Sequence, residues 1–165
     1  MSVGVDVERE MNPIERPEHE TTDQPREVGR VLGLDVGDRR IGVAVSDELG
    51  LTAQPVLTLV RKNRRQDLGS LARLLRRYGC VEVVVGNPLY MSGDISPQAL
   101  KAQEFARALA QQTGASVTLW DDRLSTSEAH RHLDAAGRPP ADRRAVIDQV
   151  AAVLILQSFL DARRG

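Results

Sequence analysis

The sequence predicts an α/β fold: a mixed five-stranded sheet with helices on both faces, antiparallel over its first three strands and joined by βαβ crossovers thereafter. Three observations predict it. Two short runs rich in β-branched residues, Arg30–Val36 and residues 41–46, flank a glycine turn, which is the pattern of a hairpin. Past Val60 the chain alternates helix-like and strand-like runs, as crossover units do. No internal repeat is present, so a single sheet accounts for every strand.

Each element follows from its own pattern. Residues 37–40, "GDRR", supply the hairpin turn, and residues 55–60 read as a third strand. Residues 65–79 place Leu68, Leu71, Leu74 and Leu75 at helical spacing, and Gly79 suits the stop. Residues 81–88 form a short, nearly continuous apolar run, as in a strand covered on both faces. "PLYMSGDIS" is a loop, Pro97–Thr113 a helix, and residues 115–121 a strand. Ser125 with Glu128 forms a capping-box pattern that opens a helix over residues 125–136. "GRPP" breaks the chain, and residues 145–160 form a strongly apolar last helix, with Trp120 and Phe159 expected in the core.

With 165 residues, 41% of them hydrophobic, the chain suffices for one domain with a real core. The first thirty residues stand apart, with eight acidic against four basic residues and no apolar period. Residues 1–28 are expected to be a disordered acidic tail, and residues 29–165 the folded domain. Beyond residue 30 the balance is fifteen acidic to eighteen basic, a mildly basic body that the net charge of −1 conceals. No apolar run reaches the roughly 18 residues of a membrane span, so no membrane partner is expected. Cys80 is the only cysteine, which excludes an intrachain disulfide and fits a reducing, cytoplasmic setting.

The informative residues are carboxylates among apolar neighbours. Asp35 ends the first strand, and Asp121 and Asp122 end the last. Asp148 heads a helical stripe that continues through Ala152, Ile155 and Phe159, so it lies on the inward side of its helix. Strand ends are where open α/β sheets meet ligands. Crowded carboxylates repel, and a hard cation removes the conflict. Mg²⁺ or Mn²⁺, two ions about 3.5–4 Å apart, would suit phosphodiester cleavage. Duller roles compete: a turn residue for Asp35, a cap for Asp121 or Asp122, a helix-dipole partner for Asp148. Phosphate contacts are expected from Arg39, Arg40, Arg61, Lys62, Arg64, Arg65 and Arg123, against the alternative of a solvated basic face. Tyr90 and Met91 lie in the glycine loop, where an unpaired base would stack. His130 and His132 lack a partner pattern and read as surface residues.

Four blocks carry a resemblance: "GLDVGDRRIGVAVSD", "VVVGNPLYMSGDISPQA", "WDDRLSTSEA" and "AVIDQVAAVLILQSFLD". In this order they resemble the RuvX/YqgF family of Holliday junction resolvases in the RNase H-like superfamily. The likeness covers roughly residues 30–162. It implies an RNase H-like fold and an endonuclease whose catalytic and metal-binding residues are Asp35, Asp122 and Asp148. It also implies hydrolysis that leaves a 5′-phosphate and a 3′-hydroxyl. Asp122 stands where the family has glutamate, with Asp121 beside it as a substitute, and Asn87 stands where the family has leucine. Two substrates follow from the resemblance. One is the four-way DNA junction of recombination and repair, cut by a homodimer because a junction offers two equivalent strands. The other is the 5′ end of precursor 16S rRNA in ribosome biogenesis. Two further readings remain: a nucleic-acid-binding relative weakened by the Asp122 change, and a sugar-kinase or actin-like phosphate hairpin, for which 165 residues leave no room.

Overall fold

The computed structural model describes residues 29–121, 123 and 141–164. The acidic tail, Asp122 and the helix expected over residues 125–136 lie outside these. The described elements are β1 (Arg30–Val36), β2 (Arg40–Ser46), β3 (Ala53–Val60), α1 (Arg64–Tyr78), β4 (Cys80–Asn87), α2 (Pro97–Thr113), β5 (Ser116–Asp121) and α3 (Ala141–Arg164). The strand order is β3-β2-β1-β4-β5. β1 pairs antiparallel with β2 and parallel with β4, so the mixed five-stranded sheet is as expected.

Alternation along the central strands sorts their side chains onto two faces. Leu32, Leu34, Ile41, Val43, Val83 and Val85 face α1 and α2, where they pack with Phe105, Leu71 and Leu109. Val31, Ala44 and Val84 face α3, where they meet Ala152, Ile155, Leu156 and Leu160. Both faces of β1 are buried, which explains the apolar run that precedes Asp35.

The helix ends obey local chemistry. Asn63 caps α1 by accepting from the Gln66 amide at 2.9 Å, and Gly79 closes it in the left-handed conformation at φ 62°. Ser96 caps α2, whose first residue is Pro97. α3 begins at Ala141, four residues earlier than its apolar stripe suggests, because its first turn is polar. Over Arg143–Arg164 this helix is long and apolar enough to cross a membrane, although Arg144, Asp148 and Asp161 interrupt its apolar run. Its contacts with the sheet account for that composition, since Ala151, Ala152, Ile155, Leu156 and Leu160 are buried. Phe159 is buried as expected, and Trp120 meets it edge-on with ring centroids 5.4 Å apart.

Candidate active site

The site grows from a glycine. Gly42 of β2 lies directly opposite Asp35 of β1, and antiparallel partners project to the same face. A Cβ built on Gly42 would stand 1.9 Å from the Asp148 carbonyl oxygen and 3.1 Å from Asp148 Cβ. Only glycine lets α3 press so closely on the strand. The side of the sheet that carries Asp35 is therefore the side on which Asp148 rests. Gly33 repeats the device two residues before Asp35, since its Cβ would meet Leu156 Cβ at 2.7 Å.

β3 completes the seat. Thr58 pairs with Gly42, donates from its hydroxyl to the Ala145 carbonyl and accepts from Gln149 Nε2 at 3.3 Å. One row, Asp35, Gly42 and Thr58, thus crosses three strands beneath the first half of α3. Arg40 sits two residues before Gly42 and donates from Nε to Asp148 Oδ2 at 2.6 Å. The pair is partly buried, with side chains 31% and 20% exposed, which sets the direction of the Asp148 carboxylate.

These residues fit a hard divalent cation. Two carboxylates from separate elements share one end of one face, and the bare glycine between them leaves room for the close approach. Mg²⁺ commonly takes one or two protein carboxylates and completes its shell with water and substrate phosphate. Among the described residues no group of three or more His, Cys, Asp or Glu converges, and Asp122 lies outside them.

Asp121, expected as a substitute for Asp122, is placed away from Asp35. Its neighbour Trp120 packs on the α3 face, while Val117 packs on the opposite one, so alternation turns Asp121 away from Asp35. Arg123 also claims it, through Nε to Oδ1 at 3.0 Å and Nη2 to Oδ2 at 2.5 Å. That guanidinium holds the Asp121 carboxyl below its ordinary range. Nη1 of Arg123 reaches the Met91 carbonyl at 3.2 Å, so this arginine latches the end of β5 to the glycine loop.

The loop itself is braced. The Tyr90 amide donates to Asp94 O at 2.9 Å, and the Gly93 amide to Tyr90 O at 2.8 Å. Tyr90 and Met91 stand outward, 53% and 81% exposed. Asn87, at the end of β4, accepts from Gln103 at 3.2 Å.

The basic residues divide. Arg39, Lys62, Arg64 and Arg65 are exposed, and all but Arg65 line a groove of about 470 Å³ beside the β1–β2 turn. Arg61 is committed internally. Its Nε donates to the buried Asp67 at 3.0 Å, its Nη1 to Gly37 O at 2.9 Å, and its guanidinium lies 5.1 Å from the Phe105 ring centre. It fastens the turn while also lining the groove beside it. Sequence reasoning missed Gly42, Thr58 and Asp67; a glycine inside an apolar strand was the available signal for the first.

The family described as "RuvX: Holliday junction resolvase" matches residues 29–162. A relative from Syntrophus aciditrophicus is 50% identical over 133 residues, 81% of this chain and 89% of its own. One from Myxococcus xanthus is 50% identical over 135 residues, 82% of this chain and 89% of its own. Both carry the name "Putative pre-16S rRNA nuclease". Among solved structures, the fowlpox virus resolvase with Holliday junction DNA superposes with a TM-score of 0.53 at 13% identity, covering 82% of this chain and 99% of that one. Thermus thermophilus RuvC with its junction substrate gives 0.51 at 18% identity, covering 83% and 96%. At such identities the likeness is one of fold, the RNase H-like fold of resolvases. With nearly all of its described body matched, the chain belongs to the RuvX family, and its chemistry is the hydrolysis of phosphodiester bonds.

Proposed function

We propose that this protein is a divalent-metal-dependent endonuclease that processes the 5′ end of precursor 16S rRNA. The observation that supports the metal-dependent chemistry is the placement of Asp35 and Asp148 on one face of the sheet, either side of Gly42. The names of relatives that share half its residues support RNA as the substrate.

Asp35 and Asp148, with Asp122 as the third carboxylate, would hold one or two Mg²⁺ or Mn²⁺ ions, which supply Lewis acidity and a nucleophile at neutral pH when bound. Arg39, Lys62 and Arg64 neutralise backbone phosphates along the groove beside the turn, and the exposed Arg65 lies next to it in sequence. Arg40 orients Asp148. Arg123 positions the loop, and Tyr90 offers an exposed ring to an unpaired base. The folded domain is residues 29–165, a division that the family match from residue 29 supports. The single cysteine supports a cytoplasmic setting.

Cleavage of four-way DNA junctions is the second reading, supported by the family's description. It requires a homodimer, because the junction's two equivalent strands call for two sites related by a two-fold axis.

One experiment tests both. Labelled precursor RNA, linear duplex and four-way junction are incubated with Mn²⁺ or EDTA, beside Asp35→Asn and Asp148→Asn. Metal-dependent cleavage confined to RNA, lost in both variants, is the expected result. Symmetric nicking of the junction alone would replace RNA with DNA as the substrate. Unchanged cleavage by either variant would overturn the site.

A further inference from the structure

Beyond Arg64 and Arg65 at its start, the outward face of α1 has no role in the site described above, and its composition is unusual. The helix carries Arg64, Arg65, Arg73, Arg76 and Arg77, all exposed. Its one carboxylate, Asp67, is 2% exposed and paired with Arg61. At about 100° per residue, Arg65, Arg73, Arg76 and Arg77 fall within one arc of about 120°. The arc lies opposite the buried stripe of Leu68, Leu71, Leu74 and Leu75. Among the described residues none of these four arginines has an acidic partner within ion-pair distance. Four like charges on one stripe repel one another, which costs helix stability unless an anion lies against them.

Gly69 is a second, independent observation. It sits in the middle of this stripe, where glycine costs about 1 kcal/mol relative to alanine. Packing does not require it, since a Cβ there would meet only the tip of Arg73, at 3.8 Å. A bare position among arginines admits close approach of a bulky chain from outside. The stripe also continues the site's own surface. A groove of about 380 Å³ runs through Lys62, Arg65, Gln66, Gly69, Ser70 and Arg73, and it shares Lys62 with the groove beside the β1–β2 turn.

We propose that this face of α1 is a rail for the phosphate backbone of the precursor RNA, holding the segment that flanks the scissile bond. From Arg65 to Arg77 the rail is about 18 Å long at 1.5 Å per residue. That length accommodates several successive phosphates of one strand. The stripe has no aromatic residue, so it reads charge and not base identity. The substrate class rests on the reading of the protein as a precursor-RNA nuclease; the rail itself rests on α1 alone.

The test is the salt dependence of binding to labelled precursor RNA in EDTA, so that no cleavage intervenes. The full chain is compared with the triple variant Arg65→Gln/Arg73→Gln/Arg76→Gln. The rail predicts that the slope of log affinity against log salt falls by about 2 and that affinity at low salt drops at least tenfold. With Mn²⁺ present, KM should rise while kcat is kept. The triple Arg→Lys variant should restore the slope, and Arg107→Gln on α2, an exposed control, should not change it. An unchanged slope in the folded triple variant would overturn the rail, even if Asp35→Asn abolishes cleavage. A slope reduced only for a four-way DNA junction would overturn RNA as its occupant. If Asp35→Asn cleaves normally while the triple variant loses RNA affinity, the active-site reading falls and the rail stands.

Discussion

Arg40 Nε donates to Asp148 Oδ2 at 2.6 Å, so the carboxylate assigned to metal binding already has a cation beside it. A guanidinium and a divalent ion compete for one oxygen. Replacing Arg40 with Gln should therefore tighten Mn²⁺ binding, measured by calorimetry without nucleic acid, by about three- to tenfold. The same variant should bind precursor RNA more weakly in EDTA. A purely structural role would weaken both, so the opposite signs decide the matter.

Gly42→Ala places a methyl group inside the contact between β2 and α3, 1.9 Å from the Asp148 carbonyl oxygen. Backbone cannot yield as a flexible side chain does. The variant should lose about 3 kcal/mol of stability by urea unfolding. It should also lose metal affinity, because α3 is displaced from Asp35. Gly69→Ala, where nothing crowds the added carbon, should be neutral or stabilising in the same measurement.

Asp67 is nearly fully buried and accepts from Arg61 Nε and from the Lys62 amide, both at 3.0 Å. Asp67→Asn leaves the Arg61 guanidinium half-buried without its counter-charge, at a cost of about 2 kcal/mol. Since Arg61 also holds Gly37 O, the turn between Asp35 and Arg40 should loosen. Faster hydrogen exchange at residues 37–40 than in the parent chain is the expected readout.

Burial pushes the Cys80 thiol up to about 11 from its ordinary 9.0. The thiol should stay protonated and react slowly with iodoacetamide at pH 8. A group with a raised folded value stabilises fully below its unfolded value, and loses that contribution as pH rises through the folded one. Stability that depends on Cys80 should thus decline between about pH 9 and 11, and Cys80→Ala should remove that part of the pH dependence. A modification rate equal to that of a free thiol at pH 8 would contradict the burial.

The sequence by itself determined the order of the described strands and helices, because each element's periodicity and breakers are local. β4 read as a nearly continuous apolar run and proved to be covered on both faces. It also determined which carboxylates end strands, and the four blocks that mark the family. Tertiary structure alone decided which of these residues share a face. Asp35 and Asp148 are separated by more than a hundred residues, and their placement on one face depends on Gly42, whose sequence signal does not say which helix residue rests on it. Asp121 and Arg61 looked like site residues in the sequence. Strand alternation turns the first to the opposite face, and a buried partner on α1 draws the second inward. Composition marks a residue as charged; what stands across from it in the fold decides whether that charge meets substrate, metal or another side chain.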